Sequence, residues 1–162
     1  MIDYLENVGV LVAACGVFEI IGKSYGTSDN KKEALGILDF VTEYPKDNSR
    51  LIGNVVIECE GIDGYVVGFE NHAGKINIGK YKPLGIIKKG YGNDGKGTAD
   101  GVVYKNVFAT YLHGPLLPKN PKLCDFILEK ALKKKYADFN GLGTLDDSLE
   151  NKANEYMVKV LL

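Results

Sequence analysis

The stretch Val8-Gly-Val-Leu-Val-Ala-Ala14, followed at once by Cys15-Gly16, decides how the chain is read. A continuous apolar run of this length, rich in β-branched residues, marks a strand buried on both faces, as in a parallel sheet. The spacing of Val17-Phe-Glu-Ile-Ile-Gly-Lys-Ser-Tyr25 predicts a helix that starts directly at the cysteine. Cys15 therefore falls on a strand-to-helix turn. Residues 2–7, ahead of the run, read as the end of a helix.

Working outward, the middle of the chain is rich in strands. They are expected over 38–42, 54–60, 65–70, 84–88, 101–104 and 107–111, separated by turns such as Gly61-Ile-Asp-Gly64 and Tyr91-Gly-Asn-Asp-Gly-Lys-Gly97. Pro115, Pro118 and Pro121 fix an extended turn. An amphipathic helix with a lysine-rich outer face follows over 122–135, and a weaker one over 146–160. The expected class is α/β, a sheet flanked by helices, as a single domain over 1–162 with no repeat and no linker. A doubly wound sheet normally has strands ahead of the one carrying a site at its end. Here the first strands are expected to be missing, so that the sequence is a fragment, or something else completes the sheet, or the fold is smaller.

The bulk properties narrow the function. Charged residues make up 25% and the net charge is −1, without the basic excess of a nucleic-acid binder and without the composition of a disordered chain. No run is long enough for a membrane span, and Met1-Ile-Asp-Tyr-Leu-Glu6 has no basic segment of a signal peptide. The expected location is cytoplasmic. Three cysteines without a Cys-x-x-Cys pair argue against a disulfide framework or a zinc site, so no metal is expected.

A cysteine at a helix start meets free N–H groups and a partial positive charge, which lower its pKa and can bind an oxyanion. Gly16 leaves the backbone open to a substrate. A buried structural cysteine is the other reading. A thiolate nucleophile needs a base. The chain has two histidines, His72 in Phe69-Glu-Asn-His-Ala-Gly74 and His113 at the end of Val107-Phe-Ala-Thr-Tyr-Leu-His-Gly114, and either can serve. Among 19 lysines there is a single arginine, Arg50. It is either a planar fork for a carboxylate or an ordinary surface charge.

Ala14-Cys-Gly-Val-Phe-Glu-Ile-Ile-Gly22 resembles the nucleophile motif of class I glutamine amidotransferases, in the cobyric-acid-synthase-like branch where Cys-Gly-Gly-Tyr-Gln-Leu-Leu-Gly is typical. Leu35-Gly-Ile-Leu-Asp39, Arg50-Leu-Ile-Gly-Asn54, Val67-Gly-Phe-Glu-Asn-His72, Tyr81-Lys-Pro-Leu-Gly85, Gly90-Tyr-Gly-Asn93 and Tyr111-Leu-His-Gly-Pro-Leu-Leu-Pro-Lys-Asn-Pro121 extend the resemblance in order over about residues 1 to 133. The resemblance implies a flavodoxin-like sheet. It makes Cys15 the nucleophile, His113 the base and Arg50 the group holding the α-carboxylate of L-glutamine. Gly16 and Glu19 fall at the substrate site, and Glu70 and His72 shape the pocket. The implied partner is a Mur-ligase-like (MurT-like) synthetase that uses ATP and the ammonia to amidate D-glutamate of lipid II, in peptidoglycan. This chain itself needs no cofactor.

The sequence departs from the family pattern at several places. Pro115 stands where many members have a glutamate that orients the histidine, Glu19 where glutamine is usual, and Val17 and Ala73 where glycine is usual. The expected glutaminase activity is therefore weak or partner-dependent. The competing expectations are an amidotransferase for a corrinoid or an archaeal cell-wall precursor, and a non-catalytic interaction subunit.

Overall fold

The computed structural model describes residues 2–7 and 9–162 of the chain. In chain order its elements are α1 (Ile2–Asn7), β1 (Leu11–Ala14), α2 (Gly16–Ile20), β2 (Ser24–Thr27), β3 (Asn30–Glu33), β4 (Val41–Glu43), β5 (Leu51–Glu58), β6 (Tyr65–His72), β7 (Lys75–Ile76), β8 (Gly85–Lys89), β9 (Ala99–Asp100), β10 (Val102–Tyr104), β11 (Val107–Thr110), α3 (Pro121–Lys135) and α4 (Ser148–Leu161). The strands form three sheets, in the orders β1-β11-β10, β3-β2-β4-β7 and β6-β5-β8-β9.

The mixed α/β class matches the expectation; the distribution of strands does not follow one large parallel sheet. β1 runs parallel to β11, with Leu11 opposite Val107 and Ala14 opposite Thr110, and β2 runs parallel to β4. The other pairings are antiparallel. Among the longest is β5 with β6, where Leu51 faces His72 and Glu58 faces Tyr65. An isolated bridge between Phe69 and His113 ties the end of the first sheet to the third.

β11 divides the core. Its odd positions, with Val107, Ala109 and the following Tyr111, pack into a cluster with Phe18, Ile21, Leu38 and Phe40. Phe108 and Leu112 point the other way, among Val55, Ile57, Leu84, Leu123 and Ile127. This is the two-residue period of a strand buried on both faces, which explains why Val107–Thr110 is apolar nearly throughout. Phe18 is fully buried, with its ring 5.5 Å from Phe40 and 5.2 Å from Tyr111, and so anchors α2 under the strand ends.

Several boundaries differ from the sequence reading. The apolar run becomes a strand only from Leu11, and Val8 lies outside the described residues. The helix expected over 17–25 ends at Ile20, because Ser24–Thr27 turns back as a hairpin with Asn30–Glu33. The helical spacing holds as far as Ile20; beyond it Ser24–Thr27 is drawn into a sheet by β3 on one side and by β4 on the other. The strand expected over 38–42 begins only at Val41, and Leu38 instead points into the core. No described helix is long and apolar enough to cross a membrane.

Candidate active site

Cys15 stands at the N-cap of α2 with φ 50° and ψ −115°. A positive φ in a side chain other than glycine is strained, by about 1–3 kcal/mol, and collects at functional sites. The strain is held from both sides. The Cys15 N–H donates to the Thr110 carbonyl at 2.9 Å, continuing the β1–β11 ladder, and the Glu19 N–H donates to the Cys15 carbonyl at 3.3 Å. The arrangement is a strand–cysteine–helix elbow. A side chain added at Gly16 would meet nothing within 4 Å, so the space beside Gly16 is open.

The expected low thiol pKa is not found. Burial pushes the Cys15 thiol above its ordinary 9.0, and the Glu19 carboxylate adds to the rise. The Gly16 N–H, bonded to the sulfur, and the Arg50 charge oppose it without overcoming it. α2 has only five residues, so its dipole is small, while removal of the sulfur from water is a full penalty.

His113 lies three residues beyond Thr110, the strand partner of Ala14, and so at the same end of the same parallel pair as Cys15. Its backbone is locked to Phe69 by His113 N–H to Phe69 O (2.9 Å) and Phe69 N–H to His113 O (3.1 Å). The Phe69 ring meets the imidazole edge to face at 5.8 Å. A Cβ at Gly68 would come within 2.9 Å of the Leu112 side chain, so glycine is what lets this segment lie against β6. Among the described residues no hydrogen bond joins the imidazole to Cys15 or to an acid, and no third member of a triad stands at Pro115 or in its place.

His72 occupies a different environment. It is 2% exposed and stacks on Tyr111 at 3.5 Å and 4°. Its Nδ1 lies 2.8 Å from the Gly74 carbonyl and its Nε2 lies 3.3 Å from Glu70. Both nitrogens are occupied, which leaves none for a proton relay to the sulfur. Glu70 is fully buried and accepts the N–H groups of Tyr91 (2.7 Å) and Gly92 (3.0 Å). Glu70 thereby holds the Gly90-Tyr-Gly-Asn93 turn against the end of β6.

Glu19 is buried under the elbow. Its two oxygens accept the hydroxyls of Tyr44, at 2.5 Å, and Tyr111, at 3.2 Å. Two phenol donors satisfy this buried carboxylate, although its charge still acts on the Cys15 thiol. Burial and this carboxylate together push the Tyr44 hydroxyl well above its ordinary range, so it remains a donor.

Arg50 is exposed and pairs with no carboxylate among the described residues. Its Nε donates to Asn71 Oδ1 at 2.7 Å and one terminal nitrogen donates to the Asn71 carbonyl at 2.8 Å. The guanidinium is fixed but its charge is unanswered, and its field reaches the Cys15 sulfur.

Several residues here were not singled out from sequence: Tyr44, Asn71, Asp100 and Tyr111. Asp100 is fully buried and braces the strand end before His113. Its carboxylate accepts the Thr110 hydroxyl and, at 3.2 Å, the Tyr111 N–H. Burial pushes its pKa up to about 7. The folded state then keeps a proton that the unfolded chain gives up near 3.8, so Asp100 costs stability as pH rises from about 4 through 7. The melting temperature is expected to fall between pH 5 and pH 8 and this fall to flatten in Asp100→Asn, with a difference on the order of 1–4 kcal/mol at the alkaline end. An identical pH slope in the two proteins would contradict it.

The comparisons with known proteins agree with this geometry. The family described as CobB/CobQ-like glutamine amidotransferase domain matches residues 1–121. The chain is 41% identical over 145 residues to the lipid II isoglutaminyl synthase (glutamine-hydrolyzing) subunit GatD of Staphylococcus aureus (strain N315), covering 89% of this chain and 58% of that protein. It is 39% identical over 157 residues to the subunit of the same name from Streptococcus pneumoniae (strain ATCC BAA-255 / R6), covering 95% of this chain and 60% of that one. A probable cobyric acid synthase of Methanothermobacter thermautotrophicus is 33% identical over 114 residues, which cover 62% of this chain and 22% of that protein. The chain thus spans about three-fifths of the length of the two GatD relatives. With the strand–cysteine–helix elbow, the histidine at the neighbouring strand end and a matching family profile over most of its length, the chain belongs to the CobB/CobQ-like glutamine amidotransferase domains.

Proposed function

We propose that this chain hydrolyses L-glutamine to glutamate and ammonia, as the glutaminase subunit of a complex whose other subunit is a Mur-ligase-like synthetase amidating D-glutamate of lipid II. The observation that carries the reading is the strained elbow at Cys15, with the Gly16 N–H bonded to the sulfur and open space beside Gly16. A fold spends strain in this way where chemistry needs it.

In the mechanism, Arg50 holds the glutamine α-carboxylate and His113 takes the proton of Cys15. The sulfur attacks the side-chain amide carbon, and the Gly16 N–H receives the developing oxyanion. His113 returns the proton to the leaving ammonia, and water then hydrolyses the thioester. Glu19 supports the elbow from beneath, held by the Tyr44 and Tyr111 hydroxyls, while Glu70 and His72 hold the neighbouring turn in shape. The raised thiol pKa fits a subunit that is slow until a partner orders the site. The greater identity to the two GatD subunits than to the cobyric acid synthase favours a cell-wall acceptor over a corrinoid. A single domain over 1–162, working in the cytoplasm, is part of the same proposal. β1 is an outer strand of its sheet, with Val12 36% exposed, so that edge is where further strands would add.

The test is peptide mass analysis after exposure to 6-diazo-5-oxo-L-norleucine, an electrophilic glutamine analogue, with and without the synthetase. An adduct at Cys15 that excess glutamine blocks, with Cys59 and Cys124 spared, is expected. No adduct at Cys15 in either condition would leave a non-catalytic interaction subunit as the better account.

A further inference from the structure

We infer that Asn71 is a positioning residue that sets the Arg50 guanidinium for the substrate carboxylate, and that the Phe69–Asn71 face of β6 fixes the spacing between carboxylate anchor and base. The inference rests on the proposed glutamine site.

The geometry is bidentate. Asn71 uses its side-chain oxygen for Nε and its own carbonyl for a terminal nitrogen, at 2.7 and 2.8 Å. Two acceptors on one residue remove the rotations about the last bonds of the arginine side chain, and the entropy of ordering it is met before substrate arrives. Both acceptors are neutral, so the positive charge is held and left available. A carboxylate in place of Asn71 would hold the fork equally well and cancel the charge that the ligand needs. The remaining N–H donors are those a carboxylate can take side by side.

β6 alternates in the manner of a half-covered strand. Glu70 and His72 are buried on one side, and Phe69 and Asn71 are half-buried on the other. Phe69 carries His113, through the backbone bridge and the ring contact, and Asn71 carries Arg50. Residues two apart on a strand sit about 6.8 Å apart. One rigid strand thus spaces the group that holds the carboxylate and the group that serves the sulfur, a distance set by backbone geometry.

The test compares wild type, Asn71→Ala, Asn71→Asp and Arg50→Ala in labelling of Cys15 by 6-diazo-5-oxo-L-norleucine and by iodoacetamide, which has no carboxylate. In Asn71→Ala the analogue concentration for half-maximal rate is expected to rise about tenfold, with the limiting rate little changed. In Asn71→Asp it rises at least as far, because the charge is answered. Iodoacetamide labels Cys15 of both variants within twofold of wild type, which a damaged fold would not allow. Arg50→Ala should weaken the analogue at least as much as Asn71→Ala. If Arg50→Ala weakens it and the two Asn71 variants do not, the inference about Asn71 is overturned alone. If Arg50→Ala has no effect, the assignment of Arg50 falls and this inference falls with it.

Discussion

Cys15→Ala is expected to lower glutamine hydrolysis by about 10⁴-fold or more, to the level of water acting on bound substrate. The size follows from the elbow. Neither of the other cysteines stands at a strand-to-helix turn: Cys59 is buried just beyond β5, with its thiol pushed up to about 12, and Cys124 lies within α3. The same substitution should leave the melting temperature near that of wild type or above it, since the positive φ at position 15 is strained for either residue and a half-buried polar thiol is lost. The pH dependence has a definite sign. Burial holds the Cys15 thiol above 9.0, so iodoacetamide labelling of wild type should still be rising above pH 9, where an ordinary thiol begins to level off. Glutaminase activity, measured with the synthetase present, that survives in Cys15→Ala would sink the catalytic assignment. A labelling rate that levels below pH 9 would show that some group lowers the thiol pKa after all.

The second large effect concerns the two histidines, which should separate cleanly. His113→Ala is expected to lower the hydrolysis rate by about 10²–10⁴-fold, the ordinary worth of a general base, with little change in melting temperature. His113 is only half-buried and its imidazole makes no hydrogen bond among the described residues, so its removal leaves few groups stranded. Its backbone, which makes the bridge to Phe69, is unchanged. His72→Ala is expected to do the opposite first. It opens a cavity against the stacked Tyr111 ring and leaves the fully buried Glu70 short of a partner, and both cost stability, together about 2–5 kcal/mol. Thermal melts and steady-state rates on the same preparations decide the matter. A large rate loss in His72→Ala at unchanged stability, with His113→Ala near wild type, would exchange the two assignments.

The sequence carried the local chemistry of this protein a long way. The apolar run into Cys15-Gly16, the strand into His113, α3 and α4 are all decided by neighbours within a turn or two, where periodicity and glycine or proline punctuation act directly. The single arginine and the two histidines could be named because the chain offers no others. The short pieces of sheet were not legible: β2, β3, β7 and β9 have two to four residues each, too few to show a period, and β7 and β9 pair with segments well back along the chain.

What only the tertiary structure decided is how the charged groups are answered. The sequence set Glu19 within one helical turn of Cys15, but Tyr44 and Tyr111, 25 and 92 residues away, are what satisfy it. It placed Arg50 without its clamp, because Asn71 lies 21 residues on and reaches it only through the β5–β6 pairing. It favoured a low thiol pKa from the helix start, and the packing around the elbow reversed the sign. The reason is general. Backbone conformation and apolar periodicity are set by adjacent residues, whereas desolvation and hydrogen-bond partners depend on which distant segments the fold brings to the same place.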